Sequence, residues 1–159
     1  MAKARKYSKI QYDGRLCAGH LLVWTWRKLV VGHDDCPVLI REYARFAGEE
    51  AEALLAAFAG FLLALGRGSR RVLMVGQPYC AGLTKDEEHM LRLIAAAQGG
   101  DQALLFAHLA WLARREHQDE VMKAANKLAQ ALTEAGVTLP PVRMPIPTRP
   151  AAPELVLTH

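Results

Sequence analysis

The longest apolar stretch of the chain lies at residues 49–65, EEAEALLAAFAGFLLAL, where two acidic residues precede a run almost free of polar side chains. Acidic residues are favourable at the positive end of a helix dipole, so a helix is predicted to begin near Glu49. Ala56, Gly60 and Ala64 recur every four residues and therefore share one helix face. Large apolar side chains cover the other directions, which predicts a helix surrounded by protein.

Periodic apolar positions predict five further helices, at about 14–31, 37–46, 85–98, 101–112 and 118–135. Their boundaries follow from local signals: Pro37 at a helix start, the capping-box sequence from Thr84 to Glu87, and glycines after most helix ends. Val72 to Val75 predict one short extended segment, and no partner strand is visible for it. An all-α bundle or orthogonal array of five to six helices is expected.

A chain of 159 residues can bury a core of its own, so one helical domain is predicted over residues 13–139. Residues 1–12 are basic and lack apolar periodicity, which predicts a flexible arm. Residues 140–159 are rich in proline and are expected to be extended or disordered.

Three cysteines, Cys17, Cys36 and Cys80, form no C-x-x-C pair, and an odd number argues against a disulfide framework. The purest apolar run is about 14 residues, shorter than the ~20 that cross a bilayer. The N-terminal segment also lacks the features of a secretory signal. A cytoplasmic protein without a membrane span is therefore expected.

The small-residue stripe of the long helix offers a smooth surface that another backbone can approach closely. Trp24 and Trp26 are two residues apart and do not share a face, so one of them is expected at a groove, an edge or an interface. Internal packing of the stripe is the alternative. The predicted interface residues are Ala56, Gly60, Phe61, Ala64 and Trp26.

Two loops, HDDCP at 33–37 and QPYCAGLT at 77–84, place a cysteine at or shortly before a helix start. The positive end of a helix dipole favours thiolate, which can be a nucleophile, a redox sensor or a metal ligand. His33, Cys36 and Cys80 are the candidate residues of such a site. The alternative is that both cysteines are small buried apolar residues, since free cysteine is often buried.

The net charge of +4 is concentrated in two clusters. Such clusters can contact phosphates, although a solvated arm and a solvated loop are the simpler explanation. A winged helix-turn-helix is disfavoured because its recognition helix would be 50–65, which lacks side chains that read bases. The candidate contacts to nucleic acid are Lys3, Arg5, Lys6, Lys9, Arg67, Arg70 and Arg71.

Acidic pairs and clusters at 34–35, 49–50 and 86–88 all lie at helix starts, where capping explains them. His89 and His117 are expected to be solvated, and His108, on an apolar face, is expected to bond a backbone carbonyl. The chain contains no G-x-S-x-G elbow, P-loop, dinucleotide-binding glycine pattern or H-E-x-x-H. No enzymatic activity and no cofactor are therefore predicted.

The function predicted from sequence is that of a small regulatory or adaptor protein, which contacts a protein partner or itself as a homodimer. A redox or metal sensor built from the two cysteine loops is the first alternative. An accessory nucleic-acid binder that uses the basic arm is the second.

Overall fold

The computed structural model describes residues 18–32, 36–78 and 82–139. Within these ranges the chain forms six α-helices and two 3₁₀ turns, at Gly48–Glu50 and Arg115–His117, and contains no β-strand. The predicted all-α architecture is confirmed. The helices are α1 (Ala18–Val30), α2 (Pro37–Ala47), α3 (Ala51–Gly68), α4 (Lys85–Gly99), α5 (Gln102–Leu112) and α6 (Gln118–Glu134).

The helix boundaries follow the capping signals in the sequence. Thr84 and Glu87 form a complete capping box at the start of α4, and the Asp101 carboxylate accepts a hydrogen bond from the Leu104 N–H at the start of α5. Gly48 and Gly100 have φ of 56° and 72°, values that glycine adopts without strain. They end α2 and α4, so these predicted boundaries are confirmed.

One continuous core joins the helices. α3 packs mainly against α6, α4 packs against α5 and α6, and α1 contacts α4. Gly68 permits the close approach between the end of α3 and the turn before α6, since a Cβ there would lie 2.7 Å from the Cβ of His117. The largest fully buried side chains include Tyr43, Phe58, Phe61, Met90, Leu93 and Ile94.

The helix α3 is not surrounded by protein, contrary to the prediction from its composition. Leu54, Phe58, Phe61 and Leu65 are buried, but the opposite face is exposed along its length. Apart from the neighbouring backbone of α3 itself, no atom of the described residues lies within 4 Å of the position that a Cβ on Gly60 would occupy. The alanines of the exposed face are strong helix formers, which explains an apolar composition without burial.

The helical run Pro37–Gly68 is long and apolar enough to cross a membrane by length and composition, with a mean hydropathy of 1.5 in an 18-residue window. The turn at Gly48 interrupts this run, and α3 contributes four large side chains to the core. A core helix passes the same test, so the finding is weak support for a membrane span.

Several predicted features lie outside the described residues. These are the basic arm at 1–12, the start of the first helix before Ala18, and the proline-rich segment from Pro140 onward. His33 and Cys80 also lie there.

Candidate functional site

The connecting segment between α3 and α4, Arg71 to Gln77, is held by the first turn of α4. The Asp86 carboxylate accepts a hydrogen bond from the Met74 N–H at 2.7 Å, and Glu87 accepts one from the Gly76 N–H at 2.8 Å. The Thr84 hydroxyl donates to the Met74 carbonyl at 2.6 Å. These three bonds replace the strand partner that the segment lacks.

Asp86 is buried, and its carboxylate binds groups from three parts of the chain. Arg71 donates two hydrogen bonds to it, at 2.7 and 2.8 Å, and the Trp111 indole N–H lies 3.3 Å from it. The hydrogen bonds from Arg71 are the main reason that the pKa of Asp86 lies below its ordinary value. Burial opposes this effect, and the Met74 N–H supports it.

Glu87 forms the second buried contact of this turn, with Arg27 on α1. The Arg27 Nε and Nη2 atoms donate to the two carboxylate oxygens at 2.7 and 2.8 Å, and Nη2 also donates to the Gly82 carbonyl. Glu87 completes the capping box by accepting from the Thr84 N–H. The acidic residues of α4 thus cap the helix, as predicted, and also join it to α1 and to the connecting segment.

His89 on α4 and His108 on α5 form a pair. Their Nδ1 atoms are 2.9 Å apart, so one ring donates to the other, and the ring of His89 stacks on Trp111 with centroids 4.5 Å apart. Burial is the main cause that lowers the pKa of both imidazoles. The prediction that His89 is solvated is wrong, because α5 covers it. The expected carbonyl partner of His108 is replaced by His89.

The Nε2 atom of His108 is buried and has no hydrogen-bond partner among the described residues. A metal site would need further ligands beside the two imidazoles. No group of three or more histidine, cysteine or acidic side chains with metal-binding geometry occurs in the described ranges. The pair therefore supports proton sharing between two helices and gives no support for a metal centre.

An apolar cleft of about 310 Å³ opens between α1, α3 and the connecting segment. Trp26 lies in its wall, which agrees with the expectation that one of the two tryptophans borders a groove. Val30 and Met74 are 61% and 64% exposed at its rim. The lining residues are Trp26, Val30, Leu62, Leu65, Gly66, Ser69, Leu73, Met74 and Val75.

A second apolar surface is formed by α5, whose eleven residues, QALLFAHLAWL, include no charged side chain. Phe106 is 51% and Trp111 46% exposed, and Leu104 is also exposed. Ala103, Ala107 and Ala110 complete this surface. This surface of α5 was not predicted from the sequence, because a continuous apolar composition is typical of a buried helix.

The predicted interface residues lie in different environments. Ala56 and Gly60 are exposed on α3, whereas Ala64, Phe61 and Trp26 are buried. Internal packing therefore accounts for one end of the stripe only. Phe61 has no exposed surface to offer a partner, and Trp26 is accessible only through the wall of the cleft.

Cys36 is half-buried at the N-cap of α2, so it is not the fully buried residue of the alternative interpretation. The backbone amide of Leu39 is the largest cause of a lowered thiol pKa, and Val38 and Lys28 act in the same direction, while burial opposes them. His33 and Cys80 lie outside the described residues, so the grouping of Cys36 with them stays a prediction.

The three candidate arginines, one in the last turn of α3 and two just after that helix, make contacts within the protein. Arg71 is held by Asp86, and Arg70 donates to the Ala110 carbonyl at 2.8 Å. Arg67 is largely exposed, with Glu120 at 3.8 Å. Lys3, Arg5, Lys6 and Lys9 lie outside the described residues, so the proposed phosphate contacts of the arm stay a prediction.

The role of Arg27 was not predicted from the sequence. The one feature that could have indicated it is an arginine within the apolar pattern of the first helix. A buried arginine needs a carboxylate partner, and the buried Glu87 of the capping box supplies it.

Comparison with known proteins adds no function to this geometry. No family model, no curated protein and no solved structure matches the chain.

Proposed function

We propose that this protein acts by protein–protein contact, and that α5 provides the contact surface. The observation that carries the proposal is the uncharged helix with Phe106 and Trp111 about half exposed. Exposed apolar patches of this kind mark interaction sites in soluble proteins. Aromatic side chains supply much of the binding energy in such contacts.

A second copy of the chain is the partner that this surface fits best. Two copies of α5 related by a twofold axis would meet through uncharged side chains of the helix, with Arg70 and Arg71 at one end of the surface. An eleven-residue helix is about 16 Å long, which is short for a standard interface. The expected homodimer is therefore weak, and its population depends on protein concentration.

The test is native mass spectrometry of the protein over a range of concentrations, compared with the variant Phe106→Gln. We expect a dimer fraction that rises with concentration and is lost in the variant. Ile40→Gln is the matched control, because Ile40 is similarly exposed on α2. A dimer that persists in Phe106→Gln, or a monomer at every concentration, would contradict self-association through α5.

The exposed part of the α3 stripe is the alternative surface for the same function. Gly60→Trp adds a bulky side chain where nothing of the same chain lies within 4 Å. This variant leaves the dimer intact if α5 is the contact. Loss of the dimer in Gly60→Trp alone would assign the contact to Ala56 and Gly60 instead.

A second candidate function is a cysteine-based redox sensor, and the half-buried Cys36 with its lowered pKa favours it. A thiolate at a helix start reacts faster with oxidants than an ordinary thiol. The test is site-resolved oxidation by dilute hydrogen peroxide after the protein has been reduced and the reductant removed. Selective modification of Cys36 supports this function. A cytoplasmic location, which both functions assume, stays a prediction.

A further inference from the structure

The cleft beside Trp26 has the features of a peptide-binding site. Its volume of about 310 Å³ is at the lower end of the range of ligand pockets, ~300–1,000 Å³. Its lining is apolar apart from Ser69, so it suits aliphatic side chains. Val30 and Met74 at its rim leave apolar surface in contact with water, which a bound partner would cover.

The wall formed by Leu73, Met74 and Val75 also offers a free backbone edge. The N–H groups of Met74 and Gly76, two residues apart, both point to the first turn of α4. Successive amides of an extended chain point to opposite sides, so those of Leu73 and Val75 point away from α4. Within the described residues, the backbone groups of Leu73 and Val75 form no hydrogen bond. An extended peptide can pair with such an edge.

Two exposed arginines, Arg67 and Arg70, adjoin the cleft, and Arg71 pairs with Asp86, the carboxylate bonded to the Met74 N–H, among the described residues. No residue that lines the cleft, or adjoins a lining residue in sequence, is acidic. Arg67 and Arg70 adjoin the lining residues Gly66 and Ser69 and are exposed. The contact of Arg67 with Glu120, at 3.8 Å between exposed side chains, is of the weak kind that a partner carboxylate can replace.

From this geometry we propose that the cleft binds an extended apolar segment of another protein, with an acidic residue placed against Arg67 and Arg70. The backbone edge of Leu73 and Val75 pairs with the segment, and the cleft takes its alternate side chains. Two copies of this cleft do not bind each other, because a twofold contact would bring Arg67 and Arg70 of both copies together. Arg70 also donates to the Ala110 carbonyl at the margin of the α5 surface, but the cleft shares no lining residue with α5 and does not depend on dimer formation there.

The test measures fluorescence anisotropy of a labelled peptide, EELVLVLV, with the full-length protein. We expect saturable binding, and roughly tenfold weaker binding of the peptide KKLVLVLV, because charge-assisted contacts to arginine are lost. Methylation of alternate amide nitrogens in one register should weaken binding, since it removes donors to the carbonyls of Leu73 and Val75.

Two variants on one helix locate the site. Gly66→Trp places a large side chain at the cleft, and Gly60→Trp places one elsewhere on α3. Beyond the neighbouring helix backbone, neither Cβ lies within 4 Å of any residue that the structure describes. We expect loss of binding in the first variant and unchanged binding in the second. Circular dichroism checks that both remain folded.

Four results would overturn the proposal. These are equal binding of the two peptides, binding that survives Gly66→Trp, no binding of either peptide, and binding that requires removal of residues 140–159. The last result would assign the cleft to the protein's own C-terminal segment. Native mass spectrometry of the same samples reports dimer formation separately, so a failure of the peptide site and a failure of the α5 contact are distinguished.

Discussion

Arg27 and Glu87, sixty residues apart in sequence, form a two-pronged ion pair with side chains only 3% and 0% exposed. The pair joins α1 to the first turn of α4. Both carboxylate oxygens of Glu87 also accept backbone N–H groups, those of Gly76 and Thr84. One side chain therefore contributes to the cap of α4, to the docking of α1 and to the position of the connecting segment.

Replacement of Glu87 by glutamine should destabilise the protein strongly. The change removes the negative charge opposite a buried guanidinium, and loss of one partner of a buried pair costs about 3–5 kcal/mol. Urea unfolding followed by circular dichroism measures the free energy of unfolding. Glu88→Gln is the control, since its half-exposed pair with Arg92 lies within one helix and is worth less than about 1 kcal/mol. Equal effects of the two changes would contradict the role assigned to Glu87.

The position of Gly76 under the Arg27 guanidinium leads to a second prediction. A Cβ on Gly76 would lie 2.8 Å from Nη2 and 2.9 Å from Cζ of Arg27, too close for an undisturbed ion pair. Gly76→Ala should therefore destabilise the protein by roughly 1–3 kcal/mol, the cost typical of an overpacked site.

Gly66→Ala is the matched control for that change, because nothing lies within 4 Å of its added methyl group and the position is helical. Replacement of a helical glycine by alanine stabilises by up to about 1 kcal/mol. The two alanine variants are expected to shift the melting temperature in opposite directions. A shift of the same sign in both would mean that Arg27 moves aside without cost.

The helices and their boundaries were predictable because their signals are local. Thr84 and Glu87 act within one turn, and Asp101 caps the helix that follows it. The exposure of α3 was not predictable from its composition, because exposed alanine and buried alanine look alike in a sequence. The same ambiguity hid the surface of α5 around Phe106.

The candidate sites depend on contacts between distant residues, and the sequence gives little warning of these. Arg27 and Glu87 each have an ordinary local interpretation, as a helix residue and as a cap. His89 is surrounded in sequence by charged residues, which suggested solvent exposure, yet α5 covers it. Such pairings follow from how helices pack, and a single sequence carries no direct record of that packing.

The histidine pair predicts a loss of stability in mild acid. Burial lowers the pKa of His89 and His108 in the folded protein below the ordinary 6.5. Between the lowered pKa and pH 6.5, the unfolded chain therefore binds more protons than the folded protein. The stabilising contribution is complete above pH 6.5 and is lost as the pH falls below it. Each histidine can contribute at most about 1.4 kcal/mol per pH unit to this slope.

Thermal unfolding at pH 7.5, 6.5 and 5.5 measures the effect, with His108→Leu as the test variant. The leucine removes one titrating group and also the buried Nε2 atom that lacks a partner, so the melting temperature should depend less on pH. His117→Gln is the control, because His117 lies in the turn before α6 and takes no part in the pair. An unchanged pH slope in His108→Leu would show that the pair does not control acid stability.

The thiol of Cys36 is expected to react at a lower pH than an ordinary cysteine. The Leu39 amide favours the thiolate, so the pKa lies below its ordinary value, and the reactive fraction near neutral pH is raised. The rate of alkylation by iodoacetamide, resolved by peptide mass spectrometry, should reach half of its maximum at a lower pH than in the unfolded protein. In 8 M urea the helix start is lost, and the midpoint should rise to the ordinary value. A midpoint that is the same in the folded and unfolded protein would mean that the start of α2 leaves the thiol unaffected, and the sensor function would lose its support.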